Sequence, residues 1–305
     1  VADLSLMENG FDDLEAIIRH PNTWYFRQFL QNLSMSSLTK REKYSMIRIC
    51  KLNFVGRHPI PIRLRAMWGL HALNKTNSES YLNDPNEHIR AWVIRLMMDD
   101  QPIDTLFGPR EKALPTISPE LMQKLVQQAI TDESGLVRLT LASALQRLPV
   151  ESRGELAKAL ACRSEDRNDH NMPLVVWAGI TPLVELDPEK LLEVAGSTQW
   201  SNLRTWIARA ITERSKENPI AFDALLKLLG DQPDQADSLL AGIERAVMGI
   251  KGFERPDRWG EVSSTLKGNP NALKLSVLFG DDDAIGQMEK LVMNPDAGME
   301  VRRQT

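Results

Sequence analysis

One short phrase returns along this chain, and it restricts the fold more than any other feature. A turn holding Pro, Asp or Asn leads into an apolar residue, often an Arg, then a small or aromatic residue and an apolar helix. The clear copies are "HPNTWYFRQFLQNL" (20–33), "PIRLRAMWGLHAL" (61–73), "DPNEHIRAWVIRLM" (84–97), "DESGLVRLTLASAL" (132–145) and "WSNLRTWIARAI" (200–211). Weaker ones are "NPNALKLSVLF" (269–279) and "NPDAGMEVRR" (294–303). Arg27, Arg65, Arg90, Arg138, Arg204 and Arg302 hold the equivalent place, and Trp68, Trp92, Trp177 and Trp206 occupy similar places beyond it. A helical unit repeated in this way cannot bury its apolar side alone. It must stack on its neighbours, which makes an elongated array.

Apolar residues recur at helical spacing outside the phrase too. In "PELMQKLVQQAI" (119–130), Leu121, Leu125 and Ala129 share one side with Val126 and Ile130, after a Ser118 cap and a Pro at the first helical position. "NPIAFDALLKLLG" (218–230) opens on Asn-Pro and stops at Gly230. No run alternates β-branched with polar residues. The expected class is all-α. The phrase resembles the second helix of a HEAT repeat, "D-x-x-x-h-R-x-x-A". There the Asp or Asn caps the helix, the Arg reaches a carboxylate or carbonyl of the neighbouring repeat, and the small residue lets helices approach. The architecture implied is a HEAT-like α-solenoid over 1–305, divisible into sub-arrays 1–100 and 118–305 joined by a Pro-rich insertion, 101–117. The competing arrangement is a pair of irregular helical bundles. The repeated Trp positions read as core between repeats, and otherwise as a stacking surface.

Composition narrows the function classes. At 305 residues, 42% hydrophobic and 26% charged, the chain has the make-up of a folded protein. Its net charge of -4 and the lack of an evident Lys/Arg stripe speak against nucleic acid as partner. No apolar run reaches the length of a membrane helix. Cys50 and Cys162 read as two buried free thiols, with no CxxC pair. The start, VADLSLMENG, does not read as a signal peptide. Both ends read as cuts in a longer protein.

No cluster reads as catalytic. The common cofactor and hydrolase motifs are absent, and so is HExxH. His71 and His88 lack further ligands for a metal. Glu87 suits the positive end of its helix. "EDRNDHNMP" (165–173) concentrates carboxylates without the Gly of a calcium loop. It reads as a polar loop ending in an Asn171 cap. "GDDDAIG" (280–286) reads as acidic capping. The chain is expected to be no enzyme, with no catalytic, cofactor or metal residues.

"EDRNDHNMPLVVWAGITPLVELDPEKLLEVA" (165–195), "RHPNTWYFRQFLQNL" (19–33), "LRAMWGLHAL" (64–73) and "NDPNEHIRAWVIRLMMDD" (83–100) resemble the helical region of one bacterial family. These are multidomain haem-binding CxxCH proteins of planctomycetes, verrucomicrobia and Bacteroidetes, often named membrane-bound dehydrogenases. The resemblance implies a parent protein with a β-propeller, HEAT repeats and a cytochrome c domain, acting in electron transfer and carbohydrate oxidation. It implies a scaffold role for this portion, with haem c carried elsewhere in the parent, because CxxCH is absent here. Partners would be neighbouring domains or another protein. Location in the periplasm or outside the cell follows from the family, not from these residues. The alternative is a HEAT-like module that binds a protein, a glycan or, least, a nucleic acid.

Overall fold

The structure, a computed structural model, describes residues 13–35, 37–74, 78–104, 117–248 and 253–293. Among them are seventeen α-helices, a few short 3-10 turns and no strand. The all-α expectation holds. Most of the Pro-rich insertion, and the last phrase with Arg302, lie outside the described residues. The chain divides into two compact units, 1–100 and 101–305.

The first unit holds α1 (Leu14–Arg19), α2 (Thr23–Met35), α3 (Lys40–Val55), α4 (Ile60–Ala72) and α5 (Glu87–Met97). Local sequence fixes the helix starts. Thr39 accepts from the Glu42 backbone while the Glu42 carboxylate reaches back to Thr39, a reciprocal cap at the head of α3. Asn86 accepts from the backbone N–H groups of His88 and Ile89 at the head of α5. The helices then pair through apolar stripes. α1 packs on α3 and α4, α2 on α4, and α4 on α3 and α5. Leu14, Ile17, Phe29, Met46, Met67, Ile89 and Ile94 fill the interior. α3 and α4 meet at Gly69, where an added Cβ would lie 2.8 Å from the Cys50 sulfur. Burial pushes the Cys50 thiol up to about 12.

The second unit shows a regular stacking rule. Its elements are α6 (Pro119–Thr131), α7 (Gly135–Ala144), α8 (Arg153–Ala161), α9 (Met172–Ile180), the single turn α10 (Leu183–Leu186) and α11 (Pro188–Ser197). Then come α12 (Ser201–Glu213), α13 (Pro219–Asp231), α14 (Ala236–Val247), α15 (Trp259–Thr265), α16 (Pro270–Leu278) and α17 (Asp282–Met293). α6, α8, α11, α13 and α15 each pack on the next of that series. α7, α9, α12, α14 and α16 do the same in a second layer. Each hairpin therefore buries its apolar side against the hairpin before and after it, as an α-solenoid does.

Three local expectations need correction. Cys162 is exposed at the end of α8, not buried, because that helix breaks into a turn at this residue. The cap ahead of α9 is Asp169: its carboxylate accepts from the backbone of Asn171 and Met172 at 2.8 and 2.7 Å, and the Asn171 side chain makes no cap bond. Those two N–H groups hold the Asp169 carboxyl below its ordinary range. The repeated tryptophans are not core either. Trp68, Trp92, Trp177 and Trp206 are all half-buried, while the indoles that are fully enclosed are Trp200 and Trp259. The acidic cap before α17 does stand, through Asp281 and the Ala284 backbone.

Candidate functional site

The buried arginines are the first polar groups to place, because a guanidinium inside a helical core must find acceptors for all its donors. Arg138 on α7 meets both oxygens of Asp166 at 2.5 and 2.8 Å and donates to the Asp132 carbonyl at 2.8 Å. The hydrogen bonds that Arg138 donates to the Asp166 carboxylate hold its guanidinium above its ordinary range. Arg204 on α12 donates to the Ala195 and Thr198 carbonyls and to Gln235. Its burial acts in the opposite direction and lowers it. Arg90 donates to the Asp84 carbonyl at 2.8 Å. Arg90, Arg138 and Arg204 thus share one bond, to the carbonyl six residues back in the turn that starts their own helix.

Two of the expected positions differ. Arg65 is buried, yet it donates to the carbonyls of Ile18, at the end of α1, and His20, in the turn after it, at 2.8 and 2.6 Å. Arg27 is exposed and has none of these bonds. Arg65 takes the Ile18 and His20 carbonyls ahead of α2, and Tyr25, Phe26 and Phe29 occupy the buried side of α2. Sequence reasoning missed the most buried arginine, Arg153, with no exposed surface. It donates to Leu148 and Gly179 and grips both oxygens of Asp104 at 2.6 and 3.1 Å. No phrase marks it, because it opens a helix of the other layer and its partner lies at the edge of the Pro-rich insertion. These arginines are consumed by structure.

What remains open is aromatic. In the first unit Phe26, Trp68 and Trp92 come from α2, α4 and α5 and line up on one side. Trp68 and Trp92 meet edge to face at 4.6 Å, and Phe26 lies 6.2 Å from Trp68. They wall a groove of about 480 Å³ completed by Leu30, Ala72 and Leu96. Almost the whole lining is apolar. Arg27 and His71 stand at its edge, His71 paired to Asp99 at 3.0 Å, and Arg95 lies 5.0 Å over the Trp92 ring. The Trp68 Nε1–H is buried and has no hydrogen-bond partner. In the second unit Trp177 on α9 and Trp206 on α12 lie 6.3 Å apart, one from each successive hairpin.

An indole sits on the open side because neighbouring helices of one layer meet too closely to admit it. α12 and α14 approach so tightly that a Cβ on Gly242 would collide with the Thr205 carbonyl. Only small residues fill such a seam, so bulky rings are left at its edge.

Among the described residues no group of three His, Cys, Asp or Glu side chains could hold a metal ion, and no helix is long and apolar enough to cross a membrane. His88 is exposed, and Glu87 is exposed beside it. The site with ligand-like geometry is therefore the aromatic groove of the first unit, whose lining suits an apolar side chain. No protein-family model, no curated protein and no solved structure matches this chain.

Proposed function

We propose that this chain is a non-catalytic helical-repeat docking module, and that the groove between α2, α4 and α5 receives an apolar anchor of a protein partner. One observation carries the reading: an aromatic-walled slot with an almost wholly apolar lining, open to solvent. An apolar side chain entering the slot buries itself against Phe26, Trp68 and Trp92. A carboxylate of the same segment meets Arg27, which lines the groove. The larger context is a second part of the proposal. Here the chain serves as the HEAT portion of a haem-containing dehydrogenase, holding a propeller and a cytochrome c domain in a geometry that permits electron transfer, outside the cytoplasm. That part rests on the sequence resemblance.

The groove is tested with the full chain and its Trp68→Ala and Trp92→Ala variants. Partner capture, with cross-linked segments identified by mass spectrometry, should recover peptides at the groove for the parent chain. Affinity for the recovered peptide should fall by about 2 kcal/mol or more for each variant, the level of an interface hot spot. Equal affinity in all three proteins would sink the groove as the site. For the larger context, unchanged electron transfer to haem after deleting this region from the longer protein would remove the linking role.

A further inference from the structure

Helix α3 carries a surface that the groove leaves unused. Its buried side is Met46, Cys50, Asn53 and Phe54. Its open side carries Lys40, Arg41, Arg48 and Lys51 together with Tyr44, Leu52 and Val55, which are 73%, 62% and 74% exposed. At 3.6 residues per turn these seven side chains share about one third of the helix circumference, and they run along about 22 Å of its axis. Tyr44 and Val55 form the middle line. Lys40 and Lys51 flank it on one side, Arg41 and Arg48 on the other, with Leu52 at the Arg edge.

The charges on this face are unbalanced. α3 holds five cations and one carboxylate, and that carboxylate, Glu42, is turned into the cap with Thr39. None of Lys40, Arg41, Arg48 and Lys51 has an ion pair or hydrogen bond to another side chain among the described residues. Some exposed cations elsewhere do have partners, as in Arg209–Glu213, Arg214–Glu185 and Arg255–Asp281. The chain as a whole is acidic, at -4. The expected lack of a Lys/Arg stripe is therefore overturned locally: the chain-wide charge conceals a basic face.

We propose that this face docks an acidic amphipathic helix of a protein partner. An apolar line with cations along both flanks is the complement of an apolar ridge bordered by Glu and Asp, as in a two-helix seam where flanking charges choose the partner. Two other anionic partners fit less well. A helix that lies on a membrane keeps its apolar residues on one side and its cations on the other, whereas here they are interleaved in one arc. A nucleic acid would engage the cations but would press phosphates against Leu52 and Val55.

The test uses the full chain and fluorescence anisotropy. The probe is a labelled designed helix of about 21 residues, about 30 Å long, with Leu along one ridge and Glu on both flanks. Controls are the same peptide with Gln flanks, an oligothymidylate, and phosphatidylcholine vesicles with and without phosphatidylserine. The Glu peptide should bind at least about tenfold more tightly than the Gln peptide, and Arg48→Glu with Lys51→Glu should remove that margin. Leu52→Ser with Val55→Ser should weaken it about fivefold, with only a small change in salt dependence. All four positions are exposed, so circular dichroism should show unchanged helix content. Trp68→Ala should leave this binding as it was, which separates failure here from failure of the groove. Equal binding of the Glu and Gln peptides, or indifference to the Arg48/Lys51 reversal, overturns the proposal. Tighter binding of the oligonucleotide or of the anionic vesicles through the same residues overturns it as well.

Discussion

At the scale of single residues, what stands out is how completely the buried guanidinium groups are used. Arg138 is buried against Asp166, which is itself buried, so neither charge can fall back on water. Removing one partner of such a pair leaves the other uncompensated and costs about 3–5 kcal/mol. Asp166→Ala is accordingly expected to lower the unfolding free energy of the second unit by about that amount. Denaturant melts followed by circular dichroism would read it. Removing both charges, as Arg138→Met with Asp166→Leu, should recover much of the loss. The Arg of the phrase was legible in the sequence as a position at Arg90, Arg138 and Arg204, but the bond these three share goes to their own turn, not to the neighbouring repeat as expected; Arg138 and Arg204 also reach the next hairpin, at Asp166 and Gln235. The position was not legible at Arg27, where aromatic residues take the buried side. Arg153 gave no local signal at all, since its carboxylate partner lies 49 residues away.

At the scale of elements, the seams between hairpins decide which side chains are core and which are surface. Gly242 on α14 sits against the Thr205 carbonyl, the Ala208 methyl and the Arg209 amide of α12. Its backbone is ordinary helix, so space alone demands glycine here. Gly242→Val would push two stacked hairpins apart and cost about 1–3 kcal/mol or more. Gly286→Val on α17, where nothing lies within 4 Å of an added Cβ, serves as the control and should cost far less. The comparison is read as the difference in melting temperature between the two variants. The same closeness explains why the tryptophan positions were read as core. Periodicity places Trp92 and Trp206 near the buried stripe, but it carries no measure of how far apart two helices stand. That distance is a property of the packed pair. The candidate site was legible in the same partial way: its residues were singled out, while their role as the wall of an open groove depended on α2, α4 and α5 presenting them to one side.

At the scale of the whole molecule, the two compact units each carry one cysteine, and the two thiols have opposite surroundings. Cys162 lies exposed at the end of α8 in the second unit. Cys50 is sealed between α3 and α4 in the first, against Gly69, with its thiol pushed up to about 12. A thiol reacts with alkylating reagents as the thiolate. At neutral pH the native protein should therefore take up one label at once, and the second should follow only as fast as the first unit opens. Mass spectrometry on timed samples would count the labels, and peptide digestion would assign the fast one to Cys162. Rapid double labelling of the native chain would contradict the enclosed position of Cys50. The tight fit of a sulfur against a glycine thus has a use beyond packing. It makes Cys50 a built-in clock, from which the opening rate of one half of the molecule can be read without attaching a reporter to it.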